Sequence, residues 1–134
     1  MIDIMNEVFD TVARTVREEH FGVRVLGEYM RTPASFPTVT VDEIQNTAVD
    51  RLEDSSGEET YARVMYRIQV FSNKQNGKKA EARGIFATAD SVMRRLGLRR
   101  VTYTTTPEIY ESTVYTITAT YEAVVDVNGV VYRQ

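Results

Sequence analysis

At 134 residues, 43% of them hydrophobic, the chain has the length and apolar content of a single domain, 1–134, with one core. Its formal net charge of -3 argues against general attraction to nucleic acid phosphates, and the absence of cysteine removes disulfides, thiolate metal sites and cysteine nucleophiles. No apolar run approaches the roughly 18 residues of a membrane-spanning helix, and Asp3 and Glu7 interrupt any signal-like start, so a soluble protein not exported through a cleaved signal is expected.

Residues 2–19 place Ile2, Met5, Phe9, Val12 and Val16 at helical spacing, with Val8 and Ala13 widening the stripe. Acidic residues near its start, Arg14 and Arg17 near its end and Gly22 beyond it suit an amphipathic helix packed on a sheet. Residues 22–31 alternate loosely and 37–44 alternate more clearly, with Val39 and Val41 on one side. The simplest reading is two strands of a hairpin joined by a long loop around Thr32, Pro33, Ala34 and Ser35. Pro37 lacks an N–H and belongs at the start of its strand or on an edge.

Between residues 45 and 60 the apolar pattern fades, and Asp50, Glu53, Asp54, Glu58 and Glu59 surround a Ser-Ser-Gly sequence. This reads as an acidic loop, either a solvated connector or an arm that meets a partner. The next strand has two characters. Ala62, Val64, Tyr66, Ile68 and Val70 form a buried face, while Tyr61, Arg63, Met65, Arg67, Gln69 and Phe71 form a second face whose aromatic and arginine content suits contact with another surface. After a polar turn through Gly77, Ala82, Ile85, Phe86, Ala89, Val92, Met93 and Leu96 keep helical spacing. Arg94 and Arg95 fall in that helix's last turn, with Gly97 as a left-handed cap and Leu98 to close it.

Residues 99–106 form a polar strand, with Val101 and Tyr103 on one face and Thr102 and Thr104 on the other. Residues 112–126 form a long one, with Tyr115, Ile117, Ala119, Tyr121, Ala123 and Val125 inward and Thr116, Thr118, Thr120 and Glu122 outward. Asn128-Gly129 predicts a two-residue hairpin that returns residues 130–133 along that strand. The expected class is α+β: an antiparallel or mixed sheet with two helices on one face, in the order α-β-β-β-α-β-β-β.

No catalytic set is visible in these residues. His20 is the sole histidine and stands at a helix end, where capping is its commoner role. Ser91 follows Asp90 but has no base to activate it, and Gly77 and Gly84 lack the spacing of a phosphate loop. No cofactor or metal is expected, and enzymatic function is not.

The run Phe36-Pro37-Thr38-Val39-Thr40 is followed by Val70-Phe71-Ser72-Asn73 and then Gly77-Lys78-Lys79-Ala80-Glu81-Ala82. Val92-Met93, Leu96-Gly97-Leu98-Arg99-Arg100, Tyr121-Glu122-Ala123-Val124 and Val131-Tyr132-Arg133 complete the series. In order and spacing these segments resemble the tail terminator, or tail completion, proteins of long-tailed bacteriophages and prophages. The likeness covers the chain from about Phe36 onward. Thr120 stands where an arginine is expected, and Leu98 where an aromatic is expected.

The resemblance implies a structural virion protein rather than an enzyme. Such a protein is a homo-oligomer, a hexameric ring, that caps the tail tube, ends its polymerisation and offers a surface to the head-tail connector. DNA passes through the ring without sequence-specific binding. The implied location is the virion, at the head-tail interface, and the host cytoplasm during assembly. Candidate contacts to a neighbouring subunit or to the tube protein are the acidic Asp50, Glu53, Asp54, Glu58 and Glu59 and the basic Arg63, Arg67, Arg94, Arg95, Arg99 and Arg100. Opposed charges of this kind set register and steering more than affinity. The threonine face of 116, 118 and 120 is expected towards a lumen or a subunit seam. Two other readings remain open: a head-side neck or stopper protein, and a cellular α+β module that binds a ligand or protein on its tyrosine-lined sheet.

Overall fold

The computed structural model describes residues 1–49, 61–105 and 113–132. Its centre is the strand β3 (Tyr61–Ser72), which is hydrogen-bonded along its whole length on both sides. On one side runs β2 (Thr38–Ala48), antiparallel from Thr38↔Phe71 to Ala48↔Ala62. On the other runs β5 (Tyr115–Asp126), antiparallel from Tyr61↔Asp126 to Ser72↔Tyr115. A short strand β1 (Arg24–Leu26) flanks β2, β4 (Arg99–Thr105) flanks β5, and β6 (Val131–Tyr132) pairs with the end of β5, giving a sheet of order β1-β2-β3-β5-β4 with β6 attached to β5. With the helices α1 (Met5–Glu19) and α2 (Lys78–Arg95), the order along the chain is α-β-β-β-α-β-β-β, and the class is α+β.

The alternation of β3 and β5 sorts the sheet into two faces. Val64, Tyr66, Ile68 and Val70 of β3 and Ile117, Ala119, Tyr121 and Ala123 of β5 are buried beneath the helices. Helix α1 turns Val8, Val12, Ala13 and Val16 to this core; α2 turns Ala82, Ile85, Phe86, Ala89, Val92 and Met93 to it. The two helices also touch each other. His20, at the end of α1, shares a hydrogen bond of 2.8 Å between Nε2 and the Thr88 hydroxyl of α2, which in turn donates to Glu19 Oε2 at 2.8 Å. The histidine therefore ties the helices together, in keeping with its position at a helix end.

The expected hairpin between the first two strands is not formed. β1 spans only three residues and pairs with β2 in parallel, Arg24↔Thr38 to Leu26↔Thr40. A parallel pair needs a crossover rather than a turn, and residues 27–37 supply one by running over the face away from the helices. There the Met30 N–H donates to Gln69 Oε1 at 3.3 Å, and Arg67 lies 4.3 Å over the Tyr29 ring. Part of what the aromatic second face of β3 meets is thus this chain's own crossover.

Two bulges also shift the expected faces. β2 continues through Gln45, Asn46, Thr47 and Ala48, where a loop was expected, because an irregularity between Glu43 and Gln45 changes the phase at Ile44. In β4 the shift between Arg100 and Thr102 makes Val101 the bulged residue. Tyr103 therefore shares the helix side with Arg100, not with Val101. The last hairpin is a three-residue connection rather than the expected two-residue one. The Gly129 N–H donates to the Asp126 carbonyl and the Asp126 N–H to the Val130 carbonyl, each at 3.0 Å, with Gly129 left-handed at φ 80. The Asp126 carboxylate accepts the N–H groups of Asn128 and Val130, both at 2.9 Å. These bonds, Val130's first, hold its pKa below the ordinary aspartate value.

The cap on α2 forms as expected. Gly97 has φ 92, its N–H donates to the Arg94 carbonyl, and the Leu98 N–H donates to the Met93 carbonyl, both at 3.0 Å; Leu98 is buried. Replacing Gly97 with Val forces a β-branched residue into a left-handed backbone. Destabilisation of about 1 kcal/mol or more is expected, measured by urea denaturation against wild type.

Candidate functional site

The left-handed cap does more than end a helix. It turns the chain so that Arg94 and Arg95, in the last turn of α2, and Arg99 and Arg100, the first residues of β4, surround one groove of about 870 Å3 that is also lined by Asp90, Ser91 and Leu98. The C-terminal end of a helix carries partial negative charge, which favours the cations gathered there.

Within the groove one carboxylate organises the charges. The Asp90 side chain, 13% exposed, accepts the Tyr121 hydroxyl at 2.6 Å and Arg100 Nη1 at 3.3 Å, and has Arg94 Nη1 at 3.9 Å. Burial, and then the hydrogen bond to Asp90, pushes the Tyr121 hydroxyl well above the ordinary tyrosine range. Arg99 reaches to the opposite side of the sheet and pairs with Glu122. Arg95 has no ion-pair partner among the described residues. Among the described residues one carboxylate stands among these arginines, which leaves an excess of positive charge at Arg94 and Arg95.

The structure does not bring the remaining basic candidates to this groove. Arg67 and Arg63 project from the face of β3 away from the helices. Arg67 makes a two-point contact with Asp42, Nε at 3.2 Å and Nη2 at 2.6 Å, and covers Tyr29, so it is committed within the chain. Arg63 is exposed, opposite Thr47 on one neighbouring strand and Val124 on the other. Asp50, Glu53, Asp54, Glu58 and Glu59 lie outside the described residues.

On the same outer face a threonine ladder runs from β5 to β4. Thr102 and Thr120 share a 2.6 Å hydrogen bond between their hydroxyls, and Thr104 donates to the Thr118 carbonyl at 3.3 Å. Beside it, under the crossover, a second cavity of about 620 Å3 is walled by Tyr29, Phe36, Gln69, Phe71, Thr116 and Thr118. Sequence reasoning did not find Asp90 as the organiser of the arginines. Its only local sign is an acid four residues before Arg94, bordering the apolar stripe of α2.

No known family matches this chain, and a search of curated proteins finds no relative. Among the described residues no helix is long and apolar enough to cross a membrane, and no group of three or more metal-ligating acids and histidines converges.

The Asp90 contact is testable as a pair. Asp90→Asn and Tyr121→Phe are each expected to lower stability, with a coupling of about 2 kcal/mol between them in a double-mutant cycle from urea denaturation. The buried tyrosines also dictate an alkaline limit. Tyr66, which donates to Glu43 at 3.1 Å, and Tyr121 both have hydroxyls raised from 10.0, primarily by burial. Their contribution to stability is fully present below the unfolded value near 10 and is lost as pH climbs above it towards the folded values. Phenolate absorbance from these two residues is expected only together with loss of the circular-dichroism signal of the fold.

Proposed function

We propose that this protein is a structural component of a phage virion. It assembles into a ring, hexameric as in the tail terminators it resembles, caps the tail tube, ends its growth and presents a surface to the head-tail connector. It works by shape and contact and not by catalysis. The observation that carries this reading is the arginine groove beside β4, set against the acidic stretch at 50–59 of the same chain. A closed ring is built from heterologous contacts, in which one surface of each subunit meets a different surface of the next. A chain that carries an arginine groove and, elsewhere in its sequence, an acidic stretch suits that architecture.

The outer face is compatible with a passage for DNA. Its β4–β5 half carries threonine hydroxyls, and two of its arginines, Arg67 and Arg99, are already paired with Asp42 and Glu122. The β4–β5 half of the face therefore has little free positive charge with which to retain phosphate, whereas Arg63 on β3 stays exposed.

The decisive experiment is negative-stain imaging of lysates from a phage lacking this protein. Tails of unregulated length, or tails of normal length that fail to join heads, are the expected result. Joined tails of normal length would overturn the proposal, and finding the protein on tail-less heads would move it to the head side of the neck.

A further inference from the structure

We infer that the free edge of β4, together with the arginine groove behind it, is a docking strip for an extended acidic segment supplied by a second copy of this chain. The choice of a second copy rests on the ring reading above; the strip itself rests on geometry.

Strand β4 stands last in the sheet, and among the described residues no strand lies on its far side. Every residue from Arg99 to Thr105 is exposed. An edge strand offers a row of unpaired N–H and C=O groups, and proteins usually blunt such rows with proline, lysine, brevity or a bulge. The opposite edge of this sheet is blunted by brevity, since β1 has three residues. β4 has seven, contains neither proline nor lysine, and has its one bulge near its start at Val101. Thr102, Tyr103, Thr104 and Thr105 beyond it are residues that favour extended structure. Val101 and Tyr103 remain 45% and 41% exposed, and Tyr103 is anchored edge-on against Phe86 with ring centroids 5.1 Å apart. A strand added here would gain main-chain hydrogen bonds from β4 and an apolar contact from Tyr103.

Charge selects what that strand is. Among the described residues, Arg94 and Arg95 flank the strip on the helix side with no carboxylate beyond Asp90, which Tyr121 and Arg100 already occupy. A neutral or basic strand would leave these cations uncompensated; an acidic one meets them. The stretch at 50–59 carries Asp50, Glu53, Asp54, Glu58 and Glu59 against the single Arg51. Supplied in trans, it leaves each donor's own strip open for the next copy, so the contact repeats head to tail.

The test uses the full-length protein. Wild type is expected to associate as its concentration rises in sedimentation velocity, and to dissociate when salt is raised from about 0.05 to about 0.5 M. Amide exchange in β4 is expected to slow on association. Arg94→Glu with Arg95→Glu, which breaks only the long contact to Asp90, is expected to weaken association by about tenfold or more, with thermal melting as the control for folding. Replacing the five acids at 50–59 by Asn and Gln is expected to do the same.

Mixing the two variants restores one complementary pair and is expected to yield dimers, which a contact within one chain cannot do. The inference is overturned if wild type stays monomeric, if association leaves β4 exchange unchanged, or if both variants associate like wild type. A monomeric wild type alongside overlong tails in the deletion lysate would remove the docking strip and leave the ring reading intact. Strip-dependent association alongside normal joined tails would do the reverse.

Discussion

The register of β3 is the constraint on which the rest of the protein depends. Because β3 is paired through its length to β2 on one side and β5 on the other, its alternation decides the faces of both neighbours and, through β5, of β4. A slip by one residue would exchange Tyr66, Ile68 and Val70 for Arg67, Gln69 and Phe71 beneath the helices. That would bury a guanidinium among valines, at a cost of several kcal/mol that the apolar alternation avoids. The two helices then need only a stripe each, and the helix-side core closes on them.

A second polar link is placed where the helix layer meets the sheet. Asp90 joins α2 to β5 through Tyr121 and to β4 through Arg100. A mostly buried carboxylate is costly unless its lone pairs are used, and here the tyrosine hydroxyl and the guanidinium use them. The same contact that makes the carboxylate tolerable fixes the angle at which β4 leaves the cap, and so the outline of the arginine groove. Packing and candidate site are therefore one feature in this region.

What was legible in the sequence was periodicity undisturbed by bulges. The stripes of α1 and α2, the alternation of β3 and β5 and the Gly97 cap could be read because each depends on residues close together in the chain. The parallel pairing of β1 could not, since it depends on residues 27–37 packing over Gln69 and Arg67, which are far away in sequence. The extension of β2 was hidden by the phase change at Ile44 and by Asn46, a polar residue on the helix side whose amide donates to the Ile2 carbonyl at 2.7 Å. The last hairpin was misread for a related reason. The Asp126 carboxylate captures the two N–H groups that select a three-residue connection, while Asn128-Gly129 alone favours a two-residue turn. The arginines were legible as a cluster along the chain, but the commitment of Arg67 to Asp42 and of Arg99 to Glu122 was not, because each partner comes from another strand.

The way β4 is held bears on what it can do. Its residues are all exposed, so burial contributes little to its order. It is fixed instead by contacts on both sides: Arg99 to Glu122 and Thr102 to Thr120 on the outer face, and Arg100 to Asp90 and Tyr103 to Phe86 on the helix side. Cross-strand pairs of this kind are worth a few tenths to about 1 kcal/mol each. None of them uses the strand's free edge, so the backbone groups there are already aligned as a partner strand would require. The entropy of ordering that edge is met within the chain itself, which lowers the cost of any pairing made along it. An edge so prepared, which no other strand covers among the described residues, is suited to pairing with a further strand.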